Sequence, residues 1–441
     1  MQIDEFKTVN IESSEPIKSS EPIKSIQKLL VLGYVWPEPN SSAAGSHMLS
    51  LLSLFVAQGW QVTFASPAQQ GEHKVDLTEL GIDEQAVTLN CSSFDNFISI
   101  LSPSIVLFDR FMLEEQFGWR VAKHCPDALR ILDTEDLHSL RHARHQALKQ
   151  NRPLVTADLN SDVAKREIAA IFRCDLSLVI SDYEIDLLKN HYLVPQHILL
   201  HCPFMLDLKH FITSEKSYSD RQNFISIGNF RHEPNWDAVL FLKQNIWPLI
   251  RKQLPNAELH IYGAYPPPKA TQLHNPKQGF LVKGWAANAR HVMRQARVCL
   301  APLRFGAGIK GKLAEAMCCG TPNVTTHIGI EGMDMGLDWS GLTTTLTDFD
   351  NQADGAADFA KHAVQLYQDQ ALWQQKQERG YQLIKTNFDK DRIQAKILSC
   401  IADIQDNLKN HRSHNFIGQM LQHHQLKSTQ YMAQWIEAKN Q

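Results

Sequence analysis

Short, continuously apolar segments alternate with helical ones along this chain, and the whole pattern occurs twice. KLLVLGYV (28–35), WQVTFAS (60–66), SIVLFD (104–109), ALRILD (128–133) and DLSLVIS (175–181) are apolar without a polar alternate face. Between them lie a helical pattern from His47 to Gln58, stopped by Gly59, and the stretches EEQFGWRVAKH and EDLHSLRHARHQALKQ. Strands apolar on both faces and spaced by helices belong to a parallel sheet covered on both sides. This pattern fills roughly residues 27–205. It restarts with NFISIG, the long amphipathic stretch NWDAVLFLKQNIWPLIRKQ, then AELHIYG, FLVKGW and RVCLAPL. The expected fold is α/β, with two Rossmann-like domains facing an interdomain cleft. Ligands of such sheets bind beyond the carboxyl ends of the strands.

The expected domain plan follows from this. Residues 1–26 contain SSEPIK at 13–18 and again at 19–24; a duplicated polar hexapeptide reads as a disordered leader, with a recognition motif as the alternative. Residues 27–211 form the first domain, and the Lys/Ser/Asp-rich 212–222 a linker. Residues 223–386 form the second domain and 387–408 a final helix. The tail, 409–441, carries His411, His414, His423 and His424 and is expected to be weakly ordered or to act as a packing arm.

Charge and cysteine content narrow the function classes. The 44 basic and 47 acidic residues leave a formal charge of −3, which gives no support to a nucleic-acid binder. Any anion site must be local. None of the eight cysteines forms a CxxC pair and no Cys/His spacing reads as a zinc site, so they are expected to be buried thiols in a reducing compartment. The amino terminus lacks a secretory pattern, and no apolar run approaches the ~18 residues of a membrane helix. The expectation is a soluble cytoplasmic protein that can touch a membrane peripherally through its surface.

The most informative stretch is RVCLAPLRFGAGIKGKLAEAMCCGTPNVTT, residues 297–326: strand, glycine loop, helix, short strand. Gly306, Gly308 and Gly311 let backbone approach a ligand. The helix start presents free N–H groups and a positive dipole end. Lys310 and Lys312 add cations, and Glu315 lies on the Lys312 face, three residues on. A polyphosphate at the loop, with a ribose held by the carboxylate, would use all of these groups. Residues 306–311 also match G-x-G-x-x-G, with Glu331 twenty residues beyond, a dinucleotide spacing. The late position in the chain, the short helix and two lysines that a dinucleotide site does not need argue against that. The bland alternative is a capped helix with a surface Lys312–Glu315 pair.

The same residues resemble the donor-binding segment of retaining glycosyltransferases of the GT-B fold, family-4 type, whose run is PLR-x-G-x-G-x-[RK]-x-K-x-x-E-A-M-A-x-G-x-P-V-V. Here it is PLRFGAGIKGKLAEAMCCGTPNV. GSHMLSLL, IGNFRHEPNWDAVLFLKQNIWPLI, FLVKGW and HIGIEGM resemble other parts of that family, over residues 28 to 405 in all. The resemblance implies a UDP- or GDP-sugar donor, no further cofactor and no metal. It implies a glycan, lipid-linked or protein acceptor, in surface polysaccharide or glycoconjugate synthesis. Lys312 and Lys310 would neutralise the diphosphate and Glu315 would bind the ribose. Gly45, Gly306, Gly308 and Ile309 would line the donor, Trp285 would meet the base, and His138 would approach the sugar. Two departures stand out. Ala307 replaces a carboxylate common in the family. Gly228 is followed by Asn229, so Arg231 would supply a cation from a shifted position.

Remaining constellations carry two readings each. Asp133, Glu135, Asp136 and His138 cluster after a strand, as an active-site edge or a polar helix start. Asp109 and Arg110 mark an acceptor wall or a buried ion pair. His142 to His145 reads as a solvated helix face, and Glu331 as a sugar contact or a turn. Trp236 and Trp247 read as core. Asp348-Phe349-Asp350 reads as a loop with an N-cap aspartate. Two other functions remain open: a nucleotide-sugar epimerase of the same fold, and a degenerate sugar-nucleotide-binding partner.

Overall fold

The computed structural model describes residues 26–207, 216–346 and 352–440. The leader through residue 25, residues 212–215 of the linker and the Asp348-Phe349-Asp350 run lie outside them. The first sheet contains β1 (Lys28–Leu32), β2 (Gln61–Ser66), β3 (Asp83–Ala86), β4 (Ile105–Asp109), β5 (Leu129–Asp133), β6 (Leu176–Val179) and β7 (Leu199–His201). All pair in parallel, in the order β3-β2-β1-β4-β5-β6-β7. The second contains β8 (Gln222–Ile227), β9 (Leu259–Tyr262), β10 (Phe280–Gly284), β11 (Ala296–Ala301), β12 (Asn323–Thr326) and β13 (Gly341–Thr344), also all parallel, ordered β10-β9-β8-β11-β12-β13. The architecture is two Rossmann-like α/β domains.

The apolar strands are buried on both faces because helices cover both. In β1, Leu30 and Leu32 enter one core layer and Leu29 and Val31 the other, as the two-residue period of a strand requires. β1 pairs with β2 through Leu29↔Val62 and with β4 through Leu29↔Ile105. The strand order therefore reverses beside β1 in the first sheet and beside β8 in the second. Each reversal opens a crevice at the carboxyl ends of the strands.

The chain then returns to its first domain. Leu206 bridges in parallel to Asp389, and the helix Lys390–Asp406 lays Ile393, Ile397, Ile401 and Ile404 into the same layer as Leu29 and Val31. Residues spaced three and four apart make one helical stripe, and burying each such side chain contributes about 1.5–3 kcal/mol. Of the two expectations for the 409–441 tail, the packing arm is the one the structure resembles: it is helical through residue 440 and lies against the first domain. Leu408–Ser413 and Phe416–Asn440 are helices, and the latter runs along helices Phe111–His124 and Asp162–Arg173. Its few apolar contacts alternate with glutamines, which hides the period in the sequence. All eight cysteines are free, five of them buried. Among the described residues, no helix is long and apolar enough to cross a membrane.

Candidate functional site

The two crevices face each other. On the first domain, the loop after β1 ends in Ser42, whose hydroxyl caps the helix Ala43–Ala57 by accepting from the Gly45 amide at 3.0 Å. Gly45 thus sits in the first helical turn, one turn earlier than the hydrophobic pattern indicates. Glycine is required there because a Cβ would stand 2.6 Å from the Glu38 backbone. β4 and β5 both exit through non-glycine residues in the left-handed region, Arg110 at φ 70° and Glu135 at φ 53°, a conformation retained where surrounding structure imposes it.

These exits place charge at the crevice. Asp109 accepts from the Tyr34 amide at 2.9 Å and pairs with Arg110 at 3.7 Å, so the buried-pair description holds for it. Asp133 and Glu135 are buried beside Asp109, and loss of hydration pushes both carboxyls up. Asp136 behaves oppositely: burial alone would raise it, but hydrogen-bonded Arg141 and nearby His138 hold it well below the usual carboxylate range. Burial draws the His138 imidazole down to about 3, although Asp136 lies 3.6 Å from its Nε2. His138 is therefore a neutral group at the first turn of the helix His138–Lys149. Glu167 anchors that turn, accepting from the His138 and Ser139 amides at 2.9 Å each and from the Ser139 hydroxyl at 2.5 Å.

On the second domain the glycine loop leads from β11 to the helix Gly311–Cys318. Lys312 donates to Asn235 Oδ1 at 2.6 Å instead of pairing with Glu315, and burial lowers its ammonium to about 8. Asn235 also donates to the Asn229 carbonyl at 2.9 Å, so one amide ties Lys312 to the loop after β8. Lys310 is buried, with its ammonium turned back on the Gly308 carbonyl at 2.6 Å. Burial lowers it, while Glu331, Glu184 and Asp136 oppose that fall. The Glu315 carboxyl is raised by burial, with Arg290 opposing. Arg231 is exposed, stacked 3.5 Å above the Tyr265 ring. Trp285 is on the rim, stacked 4.5 Å from His73 and donating to the Asn40 carbonyl at 3.2 Å. Trp247 is core, and Trp236 packs partly buried against the same core.

The walls meet along the glycine loop. Arg144 donates to the Gly306 carbonyl at 2.8 Å and to both Glu331 oxygens at 2.7 and 2.8 Å. Glu184, fully buried, accepts from the Gly308 amide at 2.7 Å and from Leu137 at 2.9 Å. Gly308, at φ 62°, has Asp136 so close that a Cβ would stand 2.7 Å away. Ile309 joins Ile180 and Phe204 in an interdomain apolar cluster. His145 stacks on Phe305 at 4.2 Å and lies 3.1 Å from Glu233. The His142–His145 run is therefore not a solvated face: Arg144 and His145 reach the other domain, and only His142 stays exposed.

Gly306, Gly308, Ile309, Lys310, Asp136 and His138 thus converge on one seam, with Asp109 and Arg110 behind it. Lys312 and Arg231 approach from the β8 side, Trp285 stands on the rim, and Gly45 supports the facing loop. Sequence reasoning missed Arg144, Glu184, Asn235 and Arg141. Only Arg144 left a trace, as a member of the His142–His145 run. Among the described residues no His, Cys, Asp and Glu group is arranged to hold a metal ion.

Comparison with known proteins agrees with this geometry. Residues 221–369 match the Glycosyl transferases group 1 family model. No curated protein sequence matches the chain. Among solved structures, Anabaena HepE in complex with UDP and glucose is similar at TM-score 0.64 and 12% identity, covering 86% of this chain and 100% of that one. Sucrose-phosphate synthase from Thermosynechococcus elongatus gives TM-score 0.62 and 14% identity, with 86% and 99% covered. WaaG, a glycosyltransferase involved in lipopolysaccharide biosynthesis, gives TM-score 0.59 and 12% identity, with 84% and 98% covered. Residues 221–369 are thus a Glycosyl transferases group 1 domain, set in a chain with the two-domain GT-B fold.

Proposed function

We propose that the chain is a glycosyltransferase that moves a sugar from a UDP- or GDP-sugar to an acceptor hydroxyl, with retention of anomeric configuration. The observation that carries this reading is the meeting, at the carboxyl ends of two facing parallel sheets, of a glycine loop, a helix start and the Lys312 ammonium. UDP and glucose in the HepE complex support a nucleotide-sugar donor. WaaG, named for lipopolysaccharide biosynthesis, supports a glycan or lipid-linked acceptor.

In this reading Lys312, Arg231 and the amides at the Gly311–Cys318 helix start hold the diphosphate and stabilise its developing charge as the anomeric C–O bond breaks. Glu315 takes the ribose hydroxyls, and Trp285 flanks the base. His138, neutral, donates or accepts a hydrogen bond at the sugar. The acceptor hydroxyl attacks the face the diphosphate leaves, and its proton passes to the leaving phosphate oxygen. No cofactor beyond the donor is required, and the positive charge comes from protein groups, so chelation should leave turnover unchanged. Lys310, bound to its own loop, holds the loop's shape.

One observation favours a second reading, a sugar-nucleotide-binding partner without turnover: Ala307 packs against the first domain's core and Glu184 occupies the Gly308 amide. Incubation with a panel of nucleotide sugars, with and without acceptors, separates the readings. Nucleoside diphosphate release with a retained anomer by NMR supports transfer. Inverted product refutes retention, an epimerised donor refutes transfer, and tight donor binding without release supports the second reading.

A further inference from the structure

The final helix, Phe416–Asn440, is fixed to the first domain along one side. Asn415 donates to the Phe172 carbonyl at 2.8 Å and accepts from the Gly418 amide at 2.9 Å. Gly418 lies so near Phe172 that a Cβ would stand 2.0 Å from its carbonyl oxygen. Gln422 donates to the Arg173 carbonyl at 2.7 Å, Ala433 is buried, and Glu437 accepts from the Ser92 amide and hydroxyl at 3.1 and 2.6 Å. These contacts set which side of the helix faces outward.

The outward side carries large apolar residues toward each of its ends. Phe416, Ile417, Met420, Tyr431, Met432 and Trp435 are all exposed. At ~100° per residue they fall within an arc of about 160°. Isolated exposed apolar residues are ordinary, but a stripe of this kind marks a contact surface. Lys427 and Lys439 are exposed and project within the same arc, Lys439 lying 5.2 Å from the Trp435 ring. The helix has one acidic residue, Glu437, and it is bonded to Ser92 on the opposite side. A large apolar stripe with aromatic residues and only positive charge matches a helix lying in the interface of an anionic bilayer.

We propose that the outward face of Phe416–Asn440 docks the protein on an anionic lipid surface. The helix ends beside Ser92, which follows β3 at the carboxyl end of the first sheet. The proposal stands independently of turnover.

Co-sedimentation of the full chain with large vesicles tests it. The protein is expected to pellet with phosphatidylcholine/phosphatidylglycerol vesicles and to stay in solution with phosphatidylcholine alone. Lys427→Glu and Lys439→Glu should each lower partitioning by about fivefold or more, and the triple variant Tyr431→Ser/Met432→Ser/Trp435→Ser should abolish it. Circular dichroism of the triple variant should match the parent, because all three side chains are exposed. A parent that remains in the supernatant with phosphatidylglycerol vesicles at low salt overturns the proposal. So does a concentration-dependent dimer in sedimentation velocity that the triple variant abolishes while vesicle binding is unchanged.

Discussion

Arg144 and Glu331 join the two domains through a two-pronged ion pair, Nη1 donating to Oε2 and Nη2 to Oε1. Arg144 comes from the helix that begins at His138, and Glu331 from the turn after β12. The same guanidinium holds the Gly306 carbonyl. The pair is mostly removed from water, so removing one partner strands the other. Arg144→Ala should destabilise the closed arrangement by about 3 kcal/mol, and Arg144→Lys should recover only part of this because an ammonium lacks the fork. Small-angle scattering should record a larger radius of gyration for Arg144→Ala. Unchanged scattering and urea midpoints would show that the domains close without the pair.

Lys312 is the cation whose removal should be felt most directly. Lys312→Ala should lower nucleoside diphosphate release by about 10²–10³-fold, the effect of removing one preorganised charge donor. Its lowered ammonium also sets a pH limit. The charged form predominates below about 8 and is lost above it. Donor affinity should be flat below that value and weaken by roughly tenfold per unit above it. Calorimetric titration with a nucleoside diphosphate between pH 6 and pH 9.5, as a rough window around that value, checks this. A flat profile would remove Lys312 from the phosphate.

Glu167 gives a stability signature that also declines as pH rises, at lower pH. Burial pushes its carboxyl up to about 7, against hydrogen bonds from Ser139 and His138 that lower it. The folded state therefore holds a proton that the unfolded chain releases near 4.5. Stability contributed by the protonated form is complete below the unfolded value and is lost as pH rises from about 4.5 to about 7. Urea denaturation should show that decline, and Glu167→Gln should flatten it.

Much of this was legible in the sequence and some was not, for a physical reason. β1, β4, β5 and β6 could be read because burial on both faces leaves them mostly apolar, with Arg130 and Ser177 as the interior exceptions. The glycine loop was legible because Gly306 and Gly308 take positive φ, where glycine is favoured. Arg144, Glu184 and Asn235 were not, since each acts on an element more than a hundred or some tens of residues away, which no local period records. Lys310 illustrates the same limit: its type and place suggest a ligand cation, and the sequence does not show that one of its three N–H donors is given to the Gly308 carbonyl. The final helix escaped notice because its packed side is small or polar, through Gly418, Gln422, Ala433 and Glu437, while its large apolar residues are exposed.

Ala307 is the sharpest test of how the seam works. Its methyl group packs against the first domain's core, the next amide belongs to Glu184, and Asp136 lies against Gly308. A carboxylate at 307 would enter a crowded place that already holds two acids, and it would be buried without a free donor. Ala307→Glu should therefore lower the melting temperature by several degrees, as a change of about 1–3 kcal/mol does for a chain of this size, without raising nucleoside diphosphate release. Ala307→Ser, smaller and uncharged, should leave stability within about 1 kcal/mol of the parent. Thermal unfolding and release assays on both variants decide the matter. A gain in turnover by Ala307→Glu at unchanged stability would mean that position 307 faces the donor and that the seam opens during the reaction.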